Sequence, residues 1–174
     1  MLLTPPSVLP SLWADGVFTV NNAIALNGLN LAAPVSGGFN ITKKGPGSLS
    51  ISTANTYTGT TTIEDGVIVA SNATALGTST TPIAVGNAAS ITNNLNPFFS
   101  VNGGTTIARN ITVGANGDPT TGTFAIGTGN AGSTAVIGGT VTLNQNLIVS
   151  ATNTAGGGGG LNLTAAVTSG SALP

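Results

Sequence analysis

Apolar residues in this chain come in short alternating runs, never in long stripes. Leu49 and Ile51 alternate with serines, Ile63 closes a run of threonines, and Gly, Asn or Asp-Gly bounds each run. Alternation of period two over a few residues marks a half-buried strand. On that basis strands are expected at 17–20, 23–26, 48–52, 60–63, 67–70, 105–108, 111–113, 123–126, 140–143, 147–149 and 161–163, where β-branched and apolar residues dominate. Almost no helix is expected, because no longer segment keeps an apolar period of about 3.6 residues free of Gly, Pro or Thr-rich interruption. Strands this short cannot bury a core alone, but they can stack as successive coils. The pattern predicts an all-β fold, a single-stranded parallel β-helix (β-solenoid). At roughly 20 to 25 residues per coil, the short end for solenoids, the chain makes about seven or eight coils.

Internal recurrence supports stacking. Asp15-Gly16-Val17 with Asn22-Ala23 and Ala25-Leu26 returns as Asp65-Gly66-Val67 with Asn72-Ala73 and Ala75-Leu76. The run from Leu29-Asn30-Leu31 to Gly38 is echoed from Leu161-Asn162-Leu163 to Gly170. Unequal intervals between copies suggest coils of one cross-section carrying loops of different length. Residues 1–14, with Pro5, Pro6 and Pro10 among Leu and Val, read as an extended N-terminal arm, since proline is excluded from central strands. Residues 15–174 then form the solenoid domain. The five glycines at 156–160 read as a loop or coil corner, because strand-like sequence resumes at Leu161.

The stretch from Thr42 to Gly77 resembles the autotransporter passenger-associated β-strand repeat. The resemblance is carried by Thr42-Lys43-Lys44-Gly45-Pro46-Gly47, by the Asn-x-Tyr-x-Gly element Asn55-Thr56-Tyr57-Thr58-Gly59, and by Asp65-Gly66-Val67-Ile68-Val69-Ala70 followed by Ala75-Leu76-Gly77. It implies a parallel solenoid and gives Tyr57 a part in the fold. In relatives such repeats build stalk-like passengers, exported by a C-terminal barrel, that act in adhesion or presentation.

Composition narrows the function classes. Of 174 residues, 4% are charged and 40% are hydrophobic, with a net charge of −1, so Thr, Ser, Asn and Gly must cover the surface. Lys43, Lys44 and Arg109 are too few to neutralise a phosphate backbone, which excludes nucleic acid as a partner. The absence of Cys removes disulfides and thiol chemistry, and the absence of His removes a Ser-His-Asp triad. No apolar run is long enough for a membrane-spanning helix. The start of the chain lacks the basic leader and small-residue cleavage site of a secretory signal.

The acids are Asp15, Glu64, Asp65 and Asp118. Glu64 and Asp65 are neighbours whose side chains point to opposite faces of a strand, so they do not form a facing pair for glycoside hydrolysis. Asp65-Gly66 and Asp15-Gly16 read as turns. Gly127-Thr128-Gly129-Asn130-Ala131-Gly132 has dinucleotide-fingerprint spacing, but β-prone sequence follows it where a helix is required. No catalytic, cofactor or metal site is expected. Asn40, Asn72, Asn110 and Asn162 head Asn-x-Thr triplets and are candidate glycosylation positions. Of Phe98 and Phe99, only one can face a single core.

The expected function is that of a noncatalytic extracellular or cell-surface structural protein. It would be a β-solenoid subunit joining end to end as a homo-oligomer or homopolymer, in a fibre or surface layer. Candidate self-association residues are Leu2, Leu3, Val8, Leu9, Leu12 and Trp13 in the arm, with Leu161, Leu163, Val167 and Leu173 near the other end. An adhesin or carbohydrate-binding passenger fragment that contacts surface glycans is the alternative, and a polysaccharide-degrading β-helix enzyme a remote one.

Overall fold

The structure, a computed structural model, describes residues 15–21, 28–114, 123–128, 133–151 and 160–170. The first coil contributes β1 (Gly16–Thr19) and β2 (Leu29–Leu31), the second β3 (Ile41–Lys44) and β4 (Ser48–Ile51), and the third β5 (Thr61–Ile63) and β6 (Val67–Ala70). The fourth carries β7 (Ile83–Val85), a short helix α1 (Ala88–Thr92), β8 (Phe98–Val101) and β9 (Thr106–Ile107). Then come β10 (Ile111–Val113), β11 (Phe124–Thr128) and β12 (Ala135–Ile137), followed by β13 (Val141–Leu143), β14 (Leu147–Ala151) and β15 (Leu161–Leu163). β16 (Val167–Ser169) opens another coil.

These strands stack into three parallel walls. The first wall runs β1-β3-β5-β7-β10-β13-β16, the second β2-β4-β6-β8-β11-β14, and the third β9-β12-β15. Seven strands in the first wall, one per coil, accord with the expected parallel β-solenoid of seven or eight coils. In the earlier coils the third side is held by single bonds instead of strands: Thr56 N–H donates to Val35 O, Thr58 N–H to Gly37 O, and Thr78 N–H to Tyr57 O, each at 2.9 Å.

Register is kept from rung to rung, so each inward position becomes a column. On the second wall Leu29, Leu49, Ile68, Phe99, Ile126 and Val149 lie in line. On the third wall Ile107, Ile137 and Leu163 do the same. The alternating burial of Ile41–Lys44, Ser48–Ile51 and Val67–Ala70 follows from the period of two. Leu49, Ile51, Ile63, Ile68, Ile83, Phe99, Ile111 and Ile126 are fully buried, each contributing roughly 1.5–3 kcal/mol by area removed from water. As expected of neighbouring strand residues, Phe99 is buried and Phe98 only half-buried.

Coil length varies while register does not. The Asn40 side chain meets Thr60, 20 residues on, whereas the Asn110 side chain meets Thr140, 30 residues on. The extra length leaves at the corners, and between β7 and β8 it includes α1, the one helix among the described residues. Its start is capped reciprocally: Ser90 N–H donates to Asn87 Oδ1 at 3.0 Å and Asn87 N–H to Ser90 Oγ at 3.1 Å.

Strands β2, β3, β7, β8, β12 and β16 add to those expected from the alternation, and the expected strand at 23–26 lies outside the described residues. The Asp65-Gly66 turn is present, with Gly66 at φ +67° and no room for a Cβ against the Gly45 and Gly47 carbonyls. Its supposed counterpart is different. Gly16 opens β1 in the first wall and pairs with Ile41, whereas Gly66 precedes β6 in the second. Likewise Leu29-Asn30-Leu31 forms β2 of the second wall and Leu161-Asn162-Leu163 forms β15 of the third. The recurrent segments are therefore not stacked copies, because a brief apolar alternation suits any wall. Residues 1–14 and most of the glycine run lie outside the described residues.

Candidate functional site

Four charged residues, Lys43, Lys44, Glu64 and Asp65, gather at the corner between the first and second walls. Lys43 belongs to an inward column of the first wall with Phe18, Ile63, Val85, Val113 and Leu143. Its side chain is fully buried, and Nζ donates to Lys44 O at 2.9 Å, Gly45 O at 2.6 Å and Asp65 O at 3.1 Å. Burial pushes its pKa down to about 8, against the opposing pull of the Asp65 carboxylate. The ammonium thus ties the corners of two successive coils. Its inward direction follows from its place two residues after Ile41 on the same face of β3, a strand that the apolar alternation did not predict.

Lys44 faces outward and pairs with Glu64 Oε1 at 3.1 Å. Glu64 Oε2 accepts from Asn87 Nδ2 at 3.1 Å, and Ser90 Oγ donates to Glu64 O at 2.6 Å, so the carboxylate anchors the start of α1. Asp65 Oδ1 accepts from Asn96 N–H at 3.2 Å. Both acids are thereby engaged in holding loops, which is structural work.

A second polar group sits inside the coil. Tyr57 stacks on Phe39, with ring centroids 5.7 Å apart, and shares a 2.7 Å hydrogen bond with Thr61 Oγ1. Burial pushes its pKa up to about 12, opposed by the Thr61 bond and by the Arg109 charge. Arg109 donates from Nη1 to Leu76 O and from Nη2 to Thr81 O at 2.7 Å, and burial holds its pKa below the usual guanidinium range, opposed by Tyr57. Asn55 receives Val35 N–H at 2.7 Å and donates from Nδ2 to Ala75 O at 2.5 Å, joining three successive rungs. Gly59 passes against the Phe39 carbonyl too closely for any Cβ. Each element of Asn55-x-Tyr57-x-Gly59 therefore has a packing role.

The triplet asparagines differ in surroundings. Asn40 donates from Nδ2 to Asp15 Oδ2 at 3.2 Å and accepts Thr60 N–H at 2.8 Å. Asn72 accepts from Thr74 N–H at 3.0 Å, and Asn110 accepts from Thr140 N–H at 2.9 Å. Asn162 is exposed on β15. In the fingerprint-like segment, Gly127 and Thr128 lie within β11, with β12 further along the chain; 129–132 are outside the described residues. Among the described residues, no three of His, Cys, Asp and Glu gather as metal ligands.

Of the self-association candidates, Leu161 and Leu163 are half-buried against the core and Val167 is exposed on β16. Leu2, Leu3, Val8, Leu9, Leu12, Trp13 and Leu173 lie outside the described residues. Exposure of large apolar side chains is confined to the end rungs. Among the described residues these are Val17 (58%) on β1, Leu29 (44%) on β2, Ile148 (53%) and Val149 (52%) on β14, and Val167 (49%) on β16. Leu29 and Val149 occupy the two ends of one inward column that is buried at every rung between them. The strand alternation predicted such columns but could not say which members would be left uncovered.

Residues 41–70, spanning β3 to β6, match the passenger-associated-transport-repeat family. No curated protein and no solved structure matches the chain. The matched segment contains Lys43 and Asn55, whose side chains bond to neighbouring rungs, together with Tyr57, Gly59 and Gly66. Among the described residues no helix is long and apolar enough to cross a membrane.

Proposed function

We infer that the chain is a noncatalytic, extracellular or cell-surface β-solenoid unit that joins end to end with further copies of itself. The observation that carries this reading is the placement of the exposed large apolar side chains on the end rungs alone, at the edges of the first and second walls. Edge strands of a parallel sheet present unpaired backbone, and an apolar column cut open at its end gains by meeting another of the same kind. β14 and β16 at one end and β1 and β2 at the other are parallel strands of the same two walls, so head-to-tail stacking continues both sheets. A passenger repeat at 41–70 supports a surface or secreted setting. The noncatalytic part rests on Glu64, Asp65, Lys43 and Arg109 being committed to backbone or to one another.

Light scattering over a concentration series, with negative-stain imaging, tests the assembly. Growth in mass with concentration, abolished by Val149→Lys with Val167→Lys, is the expected result. Monomers at every concentration overturn it. Removing residues 1–12 separates the two mechanisms, because assembly through the rungs alone persists without the arm.

A further inference from the structure

The outward positions of the first wall repeat one residue type. Register places Val17, Thr42, Thr62, Ala84, Thr112, Thr142 and Thr168 in a single file, one per coil, with threonine on every strand of the wall except β1 and β7. Two residues earlier on the same face runs a companion file that includes Asn40, Thr60, Asn110 and Thr140. The companion file is cross-bonded between rungs, Asn40 to Thr60 and Asn110 to Thr140, which fixes its spacing. In the threonine file, the hydroxyls of Thr142 and Thr168 lie 3.4 Å apart.

Threonine is common on exposed strand positions, and cross-strand Thr pairs stabilise sheets, so a structural origin must be weighed. The second wall supplies the comparison. Its outward files read Ser48, Val67, Phe98, Ala125, Ile148 and Asn30, Ser50, Val69, Ser100, Gly127, Ser150; serine recurs in the latter, but under the same backbone geometry neither file holds a threonine. Sheet propensity alone therefore does not account for the threonines of the first wall.

The two files form a grid of about 4.8 Å between rungs and about 6.6 Å along the strand. Threonine has a stiff χ1, so hydroxyl and methyl are held in place before any partner arrives, and little entropy is lost on contact. The face is neutral apart from the Lys44–Glu64 pair at its border and the Asp15 carboxylate beside Asn40 at the first rung, which matches an uncharged partner and gives an ionic polymer little to offset its desolvation. It also lacks the aromatic side chains on which sugar rings stack, for the half-buried Phe98 belongs to the second wall. A neutral partner that repeats in two dimensions at nearly the strand spacing, and offers donors and acceptors at each point, is crystalline water.

We propose that the outer face of the first wall binds ice, the ranked threonines meeting the oxygen rows of the crystal surface. The test is inhibition of ice recrystallisation, and faceting of a single ice crystal, by the full chain. Wild type is expected to halt grain growth. Thr112→Lys with Thr142→Lys abolishes the effect while circular dichroism remains that of a folded sheet, and Ser50→Lys on the second wall leaves it intact. If the lysine pair fails to fold, Thr112→Val with Thr142→Val keeps shape and β-propensity and weakens inhibition by an order of magnitude. Wild type without effect on ice, inhibition that survives both threonine pairs, or retention on crystalline chitin or cellulose with no ice effect overturns the proposal. The readout is taken at a concentration where light scattering gives monomer, so it is independent of end-to-end joining.

Discussion

Lys43 and Tyr57 are both buried and titrate in opposite senses, which shapes alkaline stability. The folded Lys43 has its pKa lowered from 10.5 to about 8, so between those values the unfolded chain holds more protons and stability rises with pH, on the order of 1 kcal/mol per unit. Tyr57 has its pKa raised from 10.0 to about 12, so between those values the folded state holds the extra proton and stability falls as pH rises. Urea unfolding midpoints from pH 7 to 12 should therefore climb from about pH 8, peak near pH 10 and decline beyond it. Lys43→Met removes the climb and Tyr57→Phe removes the decline. Asn55→Ala leaves Val35 N–H and Ala75 O without their partner and should cost about 1–3 kcal/mol in the same assay. Tyr57 was legible as a fold residue from its place in the Asn-x-Tyr-x-Gly element, but the inward direction of Lys43 was not, because no strand was expected at Ile41–Lys44. What they bind was not legible either, because the carbonyls around Lys43 come from residues in two coils.

At the level of the single strand and corner, local pattern was a good guide where apolar residues alternate with small polar ones, as in Ser48–Ile51 and Val67–Ala70. It missed Ile41–Lys44, whose lysines mask a strand pattern, and Ile83–Val85, which follows Pro82. It also misjudged equivalence. Asp15-Gly16 and Asp65-Gly66 look alike but serve different walls, since wall assignment is decided by the corner before each strand and not by the strand's own letters. Gly66→Ala tests the corner. A Cβ at φ +67°, pressed against the Gly45 and Gly47 carbonyls, should lower stability by about 2 kcal/mol or more, and Asp65→Ala, at a position without that constraint, by much less.

Across the whole molecule each rung meets only its neighbours, so stability accumulates along the axis. Ile111→Ala, in a rung covered on both sides, should cost about 2–5 kcal/mol by thermal or urea unfolding, whereas Val167→Ala at the exposed edge should cost a fraction of that. The parallel solenoid was legible in the sequence because it needs only short alternations and punctuation, repeated. The outward threonine file was not, since it exists only once register aligns residues 20 to 30 apart.

The corner between the first two walls has a practical consequence. It is crossed by residues 64–66 in one coil and by 86–97 in the next, yet Val67 and Phe98 still land in line. A foreign peptide inserted at the exposed end of α1, between Thr92 and Asn93, would be carried on the flank like a bead on a spool, and the winding beneath it would not need to be redesigned.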